Sequence, residues 1–549
     1  MSPAHRSDPH SAVPRVARPV VNLAELAARA ARDVPDRWAL VEADTGRGVT
    51  WRELEQEVDQ VAKGFSALGL VAGHRVVIAL PNRREFVTTY LGALRARLVA
   101  VPVNPRSATG ELVRMVADSG ARVVVADLST VTTARSAVAG LEDALVGADE
   151  ELRARTPVPR LVVVGAPTLP GESTYRDLLA DQSRTLPPSE DREALAVLLY
   201  TSGTSGRPRA AMLSHRALVA NVEQAAAVEP AMVRGDDVVL GVLPLFHVYG
   251  LNAVLGQVLR QQATLVVTDG FDVEATLEVI ATHAVTVVPV APPVLAYWKG
   301  AADLGARLRG VRLVLSGSAP LSPELIEAFE SRTGVPVHQG YGLTEAAPVV
   351  TSTLCSASLK RGSVGAALPG IRLRLVDDSG HAPEGEDAGQ IHVAGDNLFS
   401  GYWPDGADGP DAEGWWATGD VGFLDPDGDL FLVDRLKDLV IVSGFNVYPS
   451  EVEDVVVELD AVAEAAVVGA ADEYTGESVV AFVVPSATAP DGAEELVALV
   501  REHCAVRLAR FKQPAVVHVV KELPRTGTGK IAKGRLRATE RRRHLGILE

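Results

Sequence analysis

The chain has 549 residues, a net charge of -17 and 47% hydrophobic residues. That length calls for about three or four folding units, and the acid excess excludes a general nucleic-acid binder, which needs surplus Lys and Arg for phosphates. Two cysteines, Cys355 and Cys504, exclude a disulfide framework and fit a reducing, cytoplasmic setting.

Residues 1–20 are polar and proline-rich and lack the apolar core of a signal peptide, so they read as a disordered tail. Thr50-Trp51-Arg52-Glu53 is a capping box that opens a helix. Leu54, Val58, Val61, Phe65 and Leu68 follow at helical spacing, and Gly69 closes it. Strands at Val76–Leu80, Leu98–Val103 and Val123–Ala126 alternate with helices at Phe86–Leu94 and Leu112–Ser119. This rhythm predicts a parallel sheet covered on both faces. Residues 135–159 read as irregular surface structure, and Val162–Gly165 resumes a strand.

An apolar strand, Leu195–Leu199, runs into Tyr200-Thr201-Ser202-Gly203-Thr204-Ser205-Gly206-Arg207-Pro208-Arg209-Ala210. Glycines and hydroxyls there can turn donors toward a phosphate, with Arg207 and Arg209 adding charge. A plain surface loop is the alternative, and the nucleotide-hydrolase pattern G-x-x-x-x-G-K-[ST] is absent. A helix at Ser214–Ala226 and strands at Val238–Val242, Ala263–Val267, Val285–Val290 and Leu313–Ser316 continue the rhythm, with Ser322-Pro323 opening another helix. The apolar run Val285–Trp298 is broken by Pro289, Pro292 and Pro293 and is too short to span a bilayer, so no membrane insertion is expected.

Gly340-Tyr341-Gly342-Leu343-Thr344-Glu345 reads as a flexible aromatic turn beside a carboxylate, able to stack a purine and hold magnesium near phosphates, or as a plain turn with a solvated Glu. After about residue 360 the character changes to short antiparallel strands at Ile371–Val376, Gly389–Val393 and Phe423–Val433. Their turns are Asp378-Ser379-Gly380 and Asp425-Pro426-Asp427-Gly428; the latter lacks a calcium loop's length and closing Glu. Asp420, in Thr418-Gly419-Asp420, could accept a ribose's hydroxyls or merely close a turn. A third region follows Asp434-Arg435-Leu436-Lys437-Asp438. It has a second capping box at Ser450–Glu453, strands at Ala465–Val468, Val479–Val484 and Val516–Val520, and a helix at Glu494–Leu508. Leu496, Leu499, Val500 and Cys504 point inward on that helix. Lys530 ends the loop Pro524-Arg525-Thr526-Gly527-Thr528-Gly529, where an ammonium could stabilise developing negative charge or simply be solvated.

The order of these motifs, YTSGTSGRPRA at 200–210, PLFHVYG at 244–250, GYGLTE at 340–345, ATGD at 417–420, DRLKD at 434–438 and PRTGTGK at 524–530, resembles the adenylate-forming superfamily over about residues 22–540. The resemblance implies an α/β fold. Its parts are a large N-terminal domain of layered α/β subdomains (21–436), a small antiparallel β region (about 360–436) and a mobile α+β C-terminal lid (437–549). It implies an ATP-dependent acyl-CoA synthetase that forms acyl-AMP and then acyl-CoA, with a fatty acid as substrate, magnesium as cofactor and coenzyme A as acceptor.

Residue by residue, the resemblance makes Thr201, Ser202, Gly203, Thr204 and Ser205 the loop around the ATP phosphates, with Arg209 at its end. Ser318, Ala319, Pro320 and Gln339, Gly340, Tyr341 and Gly342 would border the adenine, with Tyr341 stacking. Thr344 would bind the α-phosphate, Thr201 and Glu345 would sit by magnesium, and Asp420 and Arg435 would hold the ribose. Lys530 would bridge carboxylate and α-phosphate, and the resemblance makes it a target for a lysine acetyltransferase. Lys437 would be the hinge. His247, Tyr249 and Gly250 would border the acyl pocket, and Ser443 and Gly444 would let the pantetheine arm pass. The family's usual Lys-Gly is replaced here by Arg209-Ala210, and a planar guanidinium differs from an ammonium point charge. Val442–Pro449 is similar to the bacterial fatty-acyl-CoA ligase form, whereas the plant aryl-CoA form carries lysines where Ile441 and Ser443 stand. An aryl-CoA ligase, a ligase loading a carrier protein and a catalytically silent nucleotide-binding protein are the alternatives.

Overall fold

The computed structural model describes residues 19–146, 150–180, 185–187, 189–201, 209–318, 321, 323–377, 380–383, 388–435, 438–442, 445–472, 476–508, 510–526 and 529–544. The predicted N-terminal tail lies outside them up to residue 18.

The first helix whose origin the sequence explains is Trp51–Ala67. Thr50 Oγ1 accepts from Glu53 N at 3.3 Å, and Glu53 Oε2 accepts from Thr50 N at 2.8 Å. This is the reciprocal capping box, and Leu54, Val58, Val61 and Phe65 bury one face.

Among the described residues the chain forms four sheets. One runs in the order Ser173–Thr174, Arg160–Val164, Val123–Asp127, Arg75–Ala79, Val99–Pro102, Leu195–Thr201, Arg209–Ser214, and is parallel except for its last pair. A second contains Val337–Gly342, Leu313–Ser316, Val287–Val290, Val238–Gly241 and Thr264–Val267 as parallel neighbours. Near-continuous valine and leucine in these strands follows from burial on both faces by helices. The third sheet is antiparallel: Arg372–Val376, Gly389–Ala394, Trp415–Leu424, Leu430–Arg435. The fourth is built on the long pair Val462–Asp472 and Gly476–Pro485, with Val516–Val519 added in parallel. It closes on its own core, in which Val452, Val467, Ala481, Leu496, Val500 and Cys504 are buried. The expected class, layered α/β with a small antiparallel region and a small α+β unit at the C-terminus, is the one observed.

Several local expectations are corrected. Residues 135–159 carry helix rather than irregular chain, at Val131–Ala139, Leu141–Ala144 and Glu150–Arg155. Val131, Ala134, Ala137 and Leu141 form its buried stripe, weakly legible because alanine marks a face poorly. Gly340 and Tyr341 lie on a strand, not a flexible turn, because Val337–Gly342 pairs on both sides. The second capping box does not form. Pro449 takes the first turn, Ser450 Oγ instead donates to Val433 O at 2.7 Å, and Glu453 Oε1 accepts from Val467 N at 2.6 Å. Leu499 is exposed, because the helix Ala493–Arg507 buries only the narrower stripe of Leu496, Val500 and Cys504. The aspartate-rich turn holds an ammonium: Lys360 Nζ lies 2.5 Å from Asp425, 2.7 Å from Asp427 and 3.5 Å from Asp429. No helix among the described residues is long and apolar enough to cross a membrane.

Candidate active site

The C-terminal ends of the parallel strands in both large sheets open onto one cavity of about 1640 Å3. Open α/β sheets place ligands there because the loops that follow the strands converge outside their carboxyl ends. Val103 and Thr201 line it from the first sheet; Leu243, Ala291, Gly317 and Gly340 line it from the second. Asp420 and Trp416 reach it from the antiparallel sheet, and Thr526 and Lys530 from the C-terminal unit.

Tyr341 and Asp420 form one wall. The Tyr341 hydroxyl donates to Asp420 Oδ2 at 2.6 Å, and both residues are buried. Asp420 stands directly across from Arg435 in the register of its antiparallel pair. Gln339 is buried on the Tyr341 strand, and Ser318 follows the neighbouring strand with a φ of 77°, a left-handed conformation unusual for a non-glycine. Tyr341, Asp420, Gln339 and Ser318 line the cavity with Gly342 and Thr344.

Glu345 is buried rather than solvated, with Tyr402 donating to its Oε1 at 2.6 Å. Burial, and Glu345 beside it, raise the Tyr402 phenol well above its ordinary range, so it stays a donor. Arg209 lies on the strand Arg209–Ser214 rather than in the loop, with its guanidinium over the Tyr402 ring. Thr201 Oγ1 lies 3.4 Å from Arg209 O.

His247, Tyr249 and Gly250 follow the strand Val238–Gly241. Asn82, from the end of the neighbouring sheet, shapes their loop: its Nδ2 donates to Gly241 O and Leu243 O at 3.1 and 2.9 Å. Its Oδ1 accepts from Leu245 N at 2.8 Å. Gly250 is needed where the chain folds back, since a Cβ would sit 2.3 Å from Pro244 O. Tyr249 donates to Leu315 O at 3.1 Å and begins a π-helix, Tyr249–Gly256. Burial, helped by the Lys530 ammonium, pushes His247 down to about 4, so its ring is neutral at pH 7. An apolar part of the cavity is lined by Ala225, Met232, Val233, Val239 and Val254, all buried.

Lys530 lines the cavity from a loop closed by Thr526 N donating to Lys530 O at 2.7 Å. Ser202, Gly203, Thr204, Ser205, Ala319, Pro320, Lys437, Ser443 and Gly444 lie outside the described residues. Sequence reasoning missed Asn82, Asp408, Tyr402 and Trp416. Their only signals were an Asn after a strand and aromatics beside glycine, which many surface turns share.

Residues 27–403 match the family model described as AMP-binding enzyme, and residues 451–530 match the AMP-binding enzyme C-terminal domain. The chain belongs to the AMP-binding enzymes, and within them it is an AMP-forming acid–thiol ligase of the acyl- and aryl-CoA type that uses ATP and CoA. It is 35% identical to 4-coumarate–CoA ligase-like 9 of Oryza sativa subsp. japonica, over 94% of this chain and 92% of the relative. It is 31% identical to the long-chain-fatty-acid–CoA ligase of Bacillus subtilis, over 93% of each. The ATP-bound MatB from Rhodopseudomonas palustris superposes with a TM-score of 0.83 at 31% identity, covering 94% of this chain and 99% of that one.

Proposed function

We propose that the chain activates a fatty acid with ATP and passes the acyl group to the thiol of CoA. The observation that carries this reading is the apolar part of the cavity, where Ala225, Met232, Val233, Val239 and Val254 offer hydrocarbon a lining without charge. Each methylene buried there contributes roughly 0.8 kcal/mol, about fourfold in affinity.

In the first half-reaction a carboxylate oxygen attacks the α-phosphorus of ATP, and the bond to pyrophosphate breaks. The mixed anhydride so formed has the leaving group that a free carboxylate lacks. In the second, the thiol sulfur attacks the acyl carbon and AMP departs. Lys530 places its ammonium beside the reacting oxygens, where charge builds. Thr344 donates to the α-phosphate, Asp420 and Arg435 take the ribose hydroxyls, and Tyr341 offers its ring to the adenine beside Gln339 and Ser318. Ser202, Gly203, Thr204 and Ser205 wrap the phosphates. His247, Tyr249 and Gly250 border the acyl group, and the neutral imidazole adds no charge that would hold back an uncharged acyl chain. Residues 437–549 act as a lid about Lys437, because Lys530 and a thiol cannot approach the same carbon together. Ser443 and Gly444 then line the path of the pantetheine arm.

Magnesium fits Glu345 and Thr201. A hard cation takes one or two protein oxygens and completes its shell with phosphate and water. Glu345 has Oε1 occupied by Tyr402 and Oε2 without a hydrogen bond among the described residues. Bound there, magnesium supplies neutralisation of phosphate charge.

An aryl acid is the second reading. It is favoured by the Tyr249 ring, which abuts Gly317 and is tethered to Leu315 O, giving a flat wall, and by the likeness to the rice 4-coumarate–CoA ligase-like 9. A panel of saturated acids from hexanoate to palmitate, run beside 4-coumarate and benzoate, decides between them. A fatty acid reading expects kcat/KM to climb with chain length. A higher kcat/KM for 4-coumarate than for every saturated acid would replace it with the aryl reading. The mass of the thioester product identifies CoA against a carrier protein.

A further inference from the structure

Arg209 stands where the resemblance calls for lysine, and its guanidinium is already engaged. It lies 3.8 Å from the centroid of the Tyr402 ring, and Nη2 donates to Asp408 Oδ2 at 2.7 Å. Tyr402 in turn donates to Glu345 Oε1 at 2.6 Å. One line of contacts therefore runs from the strand Arg209–Ser214 to the turn that bears Glu345.

Backbone and packing hold every member of that line. Trp403 N donates to Ala210 O at 2.9 Å and Met212 N donates to Gly401 O at 3.0 Å, so the segment around Tyr402 lies against the Arg209 strand. Gly401 permits the tight loop, because its φ is +86° and a Cβ would meet Gly406 O at 2.0 Å. Phe399 N donates to Glu345 O at 2.8 Å, and the Phe399 ring meets those of Tyr402 and Trp416 edge-on at 5.0 and 5.1 Å. Trp416 Nε1 donates to Asp408 O at 2.9 Å, fixing the far end. A flat guanidinium can cover a ring face and donate in its own plane at once, which a lysine ammonium cannot do in this geometry.

We propose that Arg209, Tyr402 and Asp408 are positioning residues that hold the Glu345 carboxylate in one orientation for magnesium, so that Arg209 works through Tyr402 and not as a phosphate ligand. The proposal rests on the reading of Glu345 as the magnesium-side carboxylate. Tyr402 occupies Oε1, so only Oε2 is left for a cation. Without the phenol the carboxylate can rotate, and without the guanidinium the ring that carries the phenol loses its cover.

The test uses the full-length enzyme with Tyr402→Phe, Arg209→Lys and Glu345→Gln. Manganese binding in the presence of a non-hydrolysable ATP analogue is followed by electron paramagnetic resonance, beside the magnesium dependence of pyrophosphate release and metal-free thermal unfolding. Tyr402→Phe should weaken manganese binding and raise half-saturating magnesium together, by about tenfold, as loss of a partner behind a metal ligand does. KM for the acid should stay unchanged. Arg209→Lys, which keeps the charge, should shift both metal readouts the same way and less. Wild-type metal binding in both Tyr402→Phe and Arg209→Lys, with Glu345→Gln impaired, overturns the positioning role and leaves the reading of Glu345 standing. Wild-type metal binding in Glu345→Gln overturns that reading itself. If Tyr402→Phe proves unfolded by its thermal transition, Arg209→Lys alone decides. Weaker binding of metal-free ATP by Arg209→Lys, with metal affinity intact, assigns Arg209 to the phosphates and ends the proposal.

Discussion

Tyr341 donates its hydroxyl to Asp420 at 2.6 Å across 79 residues of sequence, with the two groups 7% and 6% exposed. The aromatic of one motif and the acid of another are thus one rigid wall, made by a strand of the large second sheet and a strand of the antiparallel sheet. Tyr341→Phe removes a buried hydrogen bond to a carboxylate, which is worth roughly 1.5–3 kcal/mol. Urea unfolding should show a loss of that order, and initial rates against ATP should show a raised KM with kcat close to wild type. An unchanged KM would separate Asp420 from nucleotide binding.

Lys530→Ala should lower acid-dependent ATP–pyrophosphate exchange by about a hundredfold or more, the scale of losing one preorganised charge stabiliser. Thioester formation from supplied acyl-adenylate should be nearly intact. Equal loss in both assays would remove the special role of Lys530 in the first half-reaction. Protein acetylated stoichiometrically at Lys530 should behave as the alanine variant does, because acetylation removes the same charge; full exchange activity in that protein would contradict it.

His215 and His247 are both held down to about 4 in the folded chain, chiefly by burial, against 6.5 for an ordinary histidine. His215 Nδ1 also accepts from Leu23 N at 3.4 Å, which requires it unprotonated. Below 6.5 the unfolded chain takes up protons that the folded chain refuses. Stability is therefore full above that pH and falls as pH drops toward 4, by roughly 3 kcal/mol for each histidine. Unfolding midpoints between pH 4.5 and 8 should trace that decline, and His215→Asn should flatten it. A midpoint independent of pH below 6.5 would count against both shifts.

Lys360 serves the antiparallel sheet as a bound cation would. Its ammonium is raised by hydrogen bonds to Asp425 and then Asp427, and Asp425 is lowered by the same contact. Lys360→Ala leaves like charges crowded on one turn. Its melting temperature should fall, and added calcium should restore part of the loss while leaving the wild type unmoved. Calcium stabilising both proteins equally would mean that the lysine does not fill this place.

Much of the site was legible because its chemistry needs particular residue types in short runs. Tyr341, Glu345, Asp420 and Lys530 stand in short runs of glycine, hydroxyl and charge, the order of those runs carries the family resemblance that also marks Thr344, and all five line the cavity. The residues that were missed act across the fold. Asn82 meets its partners 159 to 163 residues away, and Arg209 meets Asp408 199 residues away. Asn, Tyr and Asp at such positions look like any turn until the partner is in place.

By itself the sequence determined the alternation of strands and helices, the Thr50 cap and the core strands, since these follow from backbone propensity and the burial period of nearby residues. It also determined which motifs carry charge and glycine. Tertiary structure alone decided that Tyr341 lies on a strand, that Ser450 leaves its cap for Val433 O, and that Arg209 covers Tyr402 instead of facing free into the cavity. Those outcomes depend on pairings between distant segments, whose energies enter only once the sheets have brought the segments within hydrogen-bond reach.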